Sequence, residues 1–384
     1  MISQIRALKR GANLHWPWTF AFGLILVGLF NLRAWKQGQR EWSVDDGERE
    51  VHTPRELPDY PKVSVLVAAW NEARHVDNHI DSFLALSYPT IELIICAGGT
   101  DDTLRRARKY ASESVIVIEQ GPGEGKQKAL ARCLEYASGE IIYLTDADCV
   151  FRDDTLISAI APLIIEGEHA ATGSSRPLDY QREMLLPSHL WASEVVVGMR
   201  HGRYIDGLLG RNAAVTRDAL NNVGGLDFPA PTGTDYHLAR RLAANDIAIR
   251  YVGTSVVRSE YPETIGEYRS KQSRWLRNLL IYGAQYGAKD DVASTRRTVT
   301  TGLIMTLMPL SAIVVGRIAL VTWGILLIHA VCARVRYMLL AVRLDGRAMS
   351  PRYSIAVSFI TLLDFIVWAL PAVEMLDSRR RTQW

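Results

Sequence analysis

The sequence predicts an α/β fold with a doubly wound sheet, joined to transmembrane helices at both ends of the chain. In the middle of the chain, short apolar runs alternate with polar, helix-like segments. Uncharged apolar runs occur near both ends, and hydrophobic residues make up 48% of the 384 residues. Alternating strands and helices favour a parallel sheet with short connections. The apolar ends favour a membrane-bound protein.

The first apolar run, at 15–32, is about long enough to cross a bilayer. Trp16 and Trp35 flank it, as interfacial anchors do. A signal peptide is the competing interpretation, because basic residues precede the run. The segment that follows, RAWK, is a poor cleavage site. We therefore expect an uncleaved N-terminal transmembrane anchor over residues 1–35.

Residues 36–61 are polar and contain prolines, which indicates a linker before a globular block at 62–291. Four apolar runs of strand length follow one another in this block. The predicted strands are VSVLVAAW (63–70), IELIICAGG (91–99), SVIVIE (114–119) and EIIYLTDAD (140–148). The predicted helices between them lie at 72–86, 101–112 and 125–139.

Apolar runs return towards the C terminus, where we predict transmembrane or interfacial helices over 292–376. Two runs are separated by Arg317 alone, and a third is interrupted only by Asp364. The runs are 299–316, 318–332 and 353–373. The pair around Arg317 is compatible with a hairpin, one long tilted helix or a partly interfacial helix.

Charge near these runs predicts the orientation in the membrane. The positive-inside rule places Arg296 and Arg297 in the cytosol with the globular block, together with the arginines between the second and third of these runs. This arrangement needs two crossings between Val299 and Cys332. The same rule disfavours the resulting far-side position of the basic tail at 377–384. We expect a multi-pass protein of the cell membrane, in a bacterial inner or plasma membrane.

The overall charge argues against a nucleic-acid partner. The formal net charge is +3, from 44 basic and 41 acidic residues. No basic run interleaved with aromatic residues occurs in the sequence. Expected partners are therefore the bilayer and small or membrane-bound molecules.

Chemistry-bearing residues follow the predicted strands, where an open parallel sheet binds its ligands. Asp146 and Asp148 end the fourth strand, and Lys126 begins the helix before it. Mg²⁺ or Mn²⁺ prefers carboxylate oxygens and keeps sites for phosphates, so a D-x-D pair can join a metal to a diphosphate. An ATPase phosphate loop is excluded because Gly121 lies one residue too close to Gly125 and no Ser or Thr follows Lys126.

Structural roles compete with each of these functional ones. Asp146 has the position of a turn residue and Asp235 that of a helix cap. Glu72 is compatible with an exposed helix-start residue that the helix dipole stabilises. Lys126 is compatible with a solvated helix residue, and Trp275 with an interfacial anchor.

From Val63 to Trp275 the sequence resembles the family 2 glycosyltransferases, which are inverting enzymes with the GT-A fold. The motifs occur in the family's order. AAWNEA (68–73) resembles A-Y-N-E, CAGGTDDT (96–103) resembles D-D-G-S-T-D-G-T, and GKQKALARCL (125–134) resembles G-K-A-A-A-L-N-A-G-L. YLTDADC (143–149) resembles the strand ending in D-x-D, and GRNAAVTRDALNNVGGLD (210–227) the acceptor-side signature. GTDYHLARRL (233–242) resembles the T-E-D motif, and SKQSRW (270–275) resembles Q-x-x-R-W.

This resemblance implies a Rossmann-like mixed sheet, a nucleotide-sugar donor that we expect to be UDP-linked, and Mg²⁺ or Mn²⁺ as cofactor. It assigns the general base to Asp235 and the metal to Asp148 with Asp146. The nucleotide-sugar-binding residues that it implies are Ala69, Trp70, Glu72, Lys126, Asp146, Asp148, Arg274 and Trp275.

The sequence departs from the family pattern at three positions. Ala97 and its neighbours replace the carboxylate that commonly contacts the base, which weakens the expectation of uracil specificity. Thr234 replaces the glutamate of T-E-D. Lys271 stands where Q-x-x-R-W has glutamine, and processive polymer synthases depend on that motif.

Three functions remain open at this point. We expect transfer of a sugar to a membrane lipid, because the few membrane helices provide little wall for a polymer channel. The alternatives are a synthase that extends a β-linked exopolysaccharide on a nascent glycan, and a degenerate transferase that acts as a membrane scaffold or sensor.

Overall fold

A computed structural model of the protein describes residues 16–41, 51, 53–198, 202–230, 232–347 and 351–376. The predicted basic tail at 377–384 lies outside the described residues. The chain forms two compact units. The globular unit comprises 47–182 and 197–261, and the helical unit comprises 1–46, 183–196 and 262–384.

Helices and strands alternate through the globular unit, whereas long helices make up the helical unit. In chain order the described helices are α1 (Trp16–Glu41), α2 (Val76–Leu84), α3 (Thr103–Ala107), α4 (Gly125–Tyr136), α5 (Asp153–Ile165), α6 (Leu185–Gly198), α7 (Arg217–Asn222), α8 (Thr234–Ala244), α9 (Ile265–Gln285), α10 (Lys289–Leu307), α11 (Ala312–Val315), α12 (Arg317–Leu344) and α13 (Pro351–Glu374). The described strands are β1 (Val63–Trp70), β2 (Ile91–Gly98), β3 (Val115–Glu119), β4 (Ile141–Asp146), β5 (Ala170–Pro177), β6 (Tyr204–Ile205), β7 (Ala213–Thr216) and β8 (Ile249–Ser259).

The four predicted strands are confirmed, and β1 has the predicted bounds. The helices are shorter than predicted. The chain turns at Asn71, which has a positive φ of 61°, and α2 begins only at Val76. The second predicted helix ends at Ala107 and continues as a 3₁₀ turn at Arg108–Tyr110.

The described strands form one mixed sheet in the order β3-β2-β1-β4-β7-β5-β8-β6. The first four are parallel, so the carboxyl ends of β1, β2 and β4 lie along one rim. The parallel arrangement predicted from the alternation holds for these four strands, and beyond β4 the sheet is mixed, because β7 runs antiparallel to β4 and to β5. The mixed sheet that the family resemblance implies is therefore the correct description.

The sheet buries apolar side chains on both faces, as strands of a central parallel sheet do. Val65 of β1 joins a cluster that includes Ile80 of α2. The next residue, Leu66, joins a second cluster that includes Leu130 of α4 and Leu238 of α8. Burying each such side chain contributes about 1.5–3 kcal/mol. Helices on both faces thus hold the rim in place from either side.

Four stretches of the described chain are long and apolar enough to cross a membrane. They are Trp16–Gln37, Lys289–Val315, Arg317–Leu344 and Arg352–Glu374. Their side chains are largely exposed, as at Phe22, Ile313 and Phe359. This exposure fits helices whose apolar surface faces lipid.

Gly316 separates the two apolar runs around Arg317. Its φ of 79° lies in the left-handed region, where glycine carries no steric cost. The indole nitrogen of Trp323 in α12 donates to the carbonyl oxygen of Met305 in α10 at 2.8 Å, so the first turns of α12 fold back to the end of α10. Of the arrangements compatible with the sequence, the structure has two separate helices.

Candidate active site

The turns after β1 and β2 are tied together at the rim of the globular unit. The backbone amide of Asn71 donates to the carbonyl of Gly98 at 3.1 Å. The side-chain oxygen of Asn71 accepts from the amide of Thr100 at 2.7 Å. Because Asn tolerates positive φ better than most residues, Asn71 serves both as the turn and as the link to β2.

Glycine is required where these two turns meet. A Cβ at Gly98 would lie 3.0 Å from the ring of Trp70. Gly99 has a φ of 126°, and a Cβ there would lie 2.8 Å from the amide nitrogen of Asn71. Ala97 is fully buried beside them. At the position where the family has a carboxylate, this protein therefore has main-chain atoms and the ring of Trp70.

Lys126 and Asp146 meet on the same rim. Glycines at 123 and 125 have positive φ, which forms the turn that opens α4. The ammonium of Lys126, from the first turn of α4, forms an ion pair with the carboxylate of Asp146 at the end of β4. About a third of the Asp146 side chain is exposed (34%), so the pair stays open to a ligand.

The carboxylates of the D-x-D pair and of Asp235 all influence the pKa of Lys126. Burial disfavours the ammonium, but the nearby carboxylates of Asp146, Asp235 and Asp148 outweigh it and raise the pKa of Lys126. Lys126 is therefore protonated at neutral pH. Asp235 lies in the first turn of α8, and a Cβ at Gly210 would be 3.0 Å from its Cβ. The backbone at Gly210 thus packs directly against Asp235.

A hydrogen-bonded chain orients Asp148. The hydroxyl of Ser259 donates to the Asp148 carboxylate at 3.2 Å. Arg211, which is buried, donates to the Ser259 oxygen at 3.1 Å and lies 5.1 Å from the ring of Tyr261. The carboxylate therefore has a fixed direction before any ligand binds.

Glu72 lies among the other carboxylates of the rim. Burial, followed by repulsion from Asp148, Asp146 and Glu260, raises the pKa of Glu72 to about 7. Glu260 in turn pairs with the ring of His75 at 3.1 Å, and the hydrogen bond from His75 lowers the pKa of Glu260. Because these carboxylates repel one another, binding of a cation at the rim is electrostatically favourable.

A divalent cation fits this donor set. Among the described residues no three Asp, Glu, His or Cys side chains form a closed metal cage. Mg²⁺ needs none, because it commonly keeps waters and phosphate oxygens and uses one or two carboxylates. Asp148 accepts hydrogen bonds from Ser259 and Cys149, and Asp146 forms an ion pair with Lys126. The D-x-D pair therefore offers the one or two carboxylates that such an ion uses.

A cleft of about 340 Å³ opens beside Asp148 on the α2 side of the sheet. Its polar wall includes Arg74, which donates to Glu260 at 3.1 Å and to the Tyr180 hydroxyl at 2.9 Å. The cleft gives a ligand room next to the D-x-D pair. The lining residues are Arg74, His75, Asn78, Asp148, Val150, Leu178, Asp179, Tyr180 and Arg258.

The remaining expected site residues, Arg274 and Trp275, belong to α9 in the helical unit. Trp275 is half exposed (51%), so its ring is accessible. Arg277, one turn further along, is buried and pairs with Glu374 at 3.2 Å.

Sequence reasoning did not single out several residues that organise the site. Arg211 and Gly210 were visible only as members of the motif GRN, and Ser259 and Glu260 close β8 with no motif. The β8 residues are detectable only from their position at the carboxyl end of a strand parallel to β5. Their partners lie far away in sequence.

Comparison with protein-family models identifies the relationship. The model described as Glycosyltransferase like family 2 matches residues 61–278, which is more than half of the chain. The matched range contains the rim residues described above and α9 as far as Asn278.

Two curated relatives are a polysaccharide synthase and a glycosyltransferase by name. The chain is 25% identical over 222 residues to the poly-beta-1,6-N-acetyl-D-glucosamine synthase of Staphylococcus epidermidis, covering 56% of this chain and 53% of that protein. It is 27% identical over 112 residues to the 4,4'-diaponeurosporenoate glycosyltransferase of Staphylococcus aureus, covering 28% of this chain and 30% of that protein. The chain thus spans about half or less of the length of these relatives.

Among solved structures, the mannosyltransferase PcManGT from Pyrobaculum calidifontis, in complex with GDP-Man and Mn²⁺, has the same fold. The TM-score is 0.53 at 20% identity, with 97% of this chain and 99% of that chain covered. Together with the family match, the mixed sheet and the motifs around Asp148 and Asp235 identify the chain as a glycosyltransferase with the GT-A fold that belongs to glycosyltransferase family 2.

Proposed function

We propose that the protein transfers a sugar from a nucleotide-sugar donor to a hydroxyl group of a membrane lipid, with inversion at the anomeric carbon. The observation that carries this proposal is the convergence of Lys126, Asp146 and Asp148 on one rim, within electrostatic reach of Asp235. The membrane-spanning stretches of the same chain supply a bilayer surface for the acceptor.

In the donor half of the site, Asp148 with Asp146 would hold Mg²⁺ or Mn²⁺. When bound, the ion supplies positive charge that stabilises the departing nucleoside diphosphate. Lys126 adds a second positive charge from the start of α4. Its ion pair with Asp146 supports this role, because it fixes the ammonium beside the D-x-D pair.

The nucleoside would lie against the ends of β1 and β2. Trp70 would form the wall, whereas the side chain of Ala69 is fully buried in the core behind it. The Gln120 carbonyl and the Trp70 ring fill the space beside Gly98. The buried Ala97 offers no carboxylate to a uracil ring. We expect a UDP-sugar from the family resemblance, and a GDP-sugar is the competing donor because PcManGT binds GDP-Man.

In the acceptor half, Asp235 would act as general base. An acceptor hydroxyl must lose its proton as it attacks the anomeric carbon, and a carboxylate in hydrogen-bond reach accepts it. A single displacement inverts the anomeric configuration. Roles for Arg274 and Trp275 in donor binding are supported by the family motif alone.

The lipid acceptor is supported by the membrane stretches and by the altered glutamine motif at Lys271. We propose that the GT-A domain spans 62–291, lies in the cytosol and is tethered by helices at 1–35 and 292–376. A second function, extension of a β-linked polysaccharide, is favoured by the similarity to the staphylococcal synthase.

The two functions are separated by incubating the purified, detergent-solubilised protein with UDP- and GDP-sugars, membrane lipids and Mn²⁺. We expect one discrete lipid-linked product on thin-layer chromatography, lost with EDTA and restored by Mn²⁺. A high-mass ladder on size analysis would instead identify a polymer synthase. Absence of product with every donor would contradict both.

A further inference from the structure

The D-x-D pair of the globular unit lies on a turn at 146–149, directly after β4. The amide of Cys149 donates to the carbonyl of Asp146 at 3.0 Å, so Ala147 and Asp148 occupy the two central positions of this turn. The side chain of Ala147 is buried in the core. The direction of the Asp148 carboxylate therefore depends on how the chain is held where it leaves the turn.

A strand and a helix hold the chain at this exit. Two main-chain hydrogen bonds, of 2.8 and 3.1 Å, join Val150 to Arg258 of β8. From α2, Nδ1 of His79 donates to the carbonyl of Cys149 at 2.7 Å. The contact with β8 involves only main-chain atoms, whereas the contact with α2 depends on which side chain stands at position 79.

His79 is an unusual residue for its surroundings. It is fully buried, and its ring lies edge-on to Phe151 of the apolar cluster at 5.4 Å. Burial lowers the pKa of His79 to about 4, so the ring is neutral and carries its proton on Nδ1. Nε2 is buried and has no hydrogen-bond partner among the described residues. Because such an atom is costly, packing alone would favour an apolar side chain here.

We propose that His79 is a positioning residue that holds the turn at 146–149 in the conformation in which Asp148 binds a divalent cation. The link to the cation rests on the proposed function, since it takes Asp148 as a metal ligand. The fixing of the turn depends only on contacts within the globular unit.

Loss of the hydrogen bond from His79 has a specific signature. If only a fraction of molecules keeps the turn in place, the apparent affinity for the cation falls by that fraction. A substitution that only loosens the core would instead lower the melting temperature. It would leave unchanged the affinity of the molecules that remain folded.

Three substitutions of His79 separate the hydrogen bond from packing. His79→Leu keeps an apolar side chain of similar size and removes the donor. In His79→Asn, the side-chain amide takes the place of Nδ1 and restores the donor. In His79→Gln, the amide takes the place of Nε2 instead, so the donor is displaced while the side chain stays polar.

A matched control lies in the same apolar cluster. Tyr88 is buried there, and its hydroxyl donates to the carbonyl of Pro61 at 2.7 Å. Pro61 precedes β1, so this hydrogen bond lies at the opposite end of the strand from the rim. Tyr88→Phe therefore removes a buried hydrogen bond to a main-chain carbonyl and leaves the turn at 146–149 untouched.

The experiment uses the full chain in detergent. The protein is titrated with Mn²⁺ alone while free Mn²⁺ is measured by electron paramagnetic resonance, and Asp148→Asn defines binding at the D-x-D pair. Amide hydrogen exchange is followed over residues 149–151 in EDTA. We expect faster exchange and about tenfold weaker Mn²⁺ binding for His79→Leu, as for other groups that orient a metal ligand.

His79→Gln should change in the same direction, and it guards against misfolding of His79→Leu. His79→Asn should bind Mn²⁺ like the wild type, even where it melts at a lower temperature. Tyr88→Phe should change neither exchange nor Mn²⁺ affinity.

Unchanged exchange over 149–151 in His79→Leu and His79→Gln overturns the fixing of the turn. Faster exchange with unchanged Mn²⁺ affinity overturns the link to the cation, and so does equally weak binding in Tyr88→Phe. A wild-type protein that binds Mn²⁺ no better than Asp148→Asn contradicts the metal site of the proposed function. Faster exchange in His79→Leu would in that case still support the fixing of the turn.

Discussion

Carboxylates that repel one another lie together at the rim. Glu72, Asp146 and Asp148 come from the ends of two adjacent parallel strands, and Lys126 forms an ion pair with Asp146. Such groups cannot all ionise without cost. The rim therefore stores unfavourable electrostatic energy that a bound cation relieves.

Replacing Asp235 should abolish transfer and spare donor binding. We expect Asp235→Asn to lower kcat by about 10²- to 10⁴-fold, the range for loss of a general base. The donor KM should change little, because the amide keeps the shape of the side chain. Transfer rates with labelled donor measure both constants.

The matched control is Asp218→Asn, an exposed carboxylate in the first turn of α7. It should retain the wild-type rate. If Asp235→Asn retains it as well, Asp235 is not the base.

The raised pKa of Glu72 predicts how stability depends on pH in metal-free protein. Glu72 keeps its proton up to about pH 7 in the folded protein, whereas in the unfolded chain its pKa is near the ordinary value of 4.5. Raising the pH through this window therefore lowers the free energy of unfolding.

Glu72→Gln should lose this component of the pH dependence. We expect the melting temperature of wild-type protein in EDTA to fall more between pH 5 and pH 8 than that of the variant. Mn²⁺ should reduce the difference at pH 8, because the ion screens the carboxylates. Parallel curves for the two proteins in EDTA would show that Glu72 does not titrate in this range.

At the scale of elements, the turns decide whether the strand ends form a site. The turn after β2 requires Gly99, since its φ of 126° and its contact with Asn71 leave no room for a side chain. The turn before α4 is less crowded at Gly121, where a Cβ would meet only Glu124 at 3.8 Å.

This difference predicts unequal costs for two glycine substitutions. Gly99→Ala should lower the free energy of unfolding by about 2 kcal/mol, the cost of a strained backbone conformation. Gly121→Ala should be close to neutral. Denaturant unfolding followed by Trp fluorescence compares them, and equal costs would mean that the turn after β2 relaxes freely.

For the whole molecule, the apolar stretches and the arginines between them predict the topology. With four crossings and a cytosolic globular unit, the turn at Gly316 lies on the far side of the membrane, and the turn at Gly346 lies in the cytosol. The break at Gly316 supplies the extra crossing that this arrangement needs.

Alkaline phosphatase, which is active only after export, tests this topology in a bacterial host. Fusions after Gly316 should be active, and fusions after Ala288 or Gly346 should be inactive. Expression of each fusion, followed by immunoblot, is the control. Higher phosphatase activity at Gly346 than at Gly316 would reverse the orientation of the protein.

Much of the fold could be predicted from the sequence because its determinants are local. The apolar run at 63–70 predicted the bounds of β1 correctly. The D-x-D pair lies at the end of β4, as predicted. The alternation of strands and helices did not predict the antiparallel strand β7. This strand has four residues, Ala213–Thr216, and such a short run does not indicate the direction in which a strand pairs.

The sequence by itself determined the fold class, the family motifs and the membrane stretches, because periodicity and composition act over short distances along the chain. Only the tertiary structure decided which charges meet. Ser259 reaches Asp148 from 111 residues away, and His189 reaches Asp364 from 175 residues away. Such pairs depend on how the sheet and the helices pack. Packing brings together residues that are far apart in the chain, and the local sequence around each residue does not identify its partner.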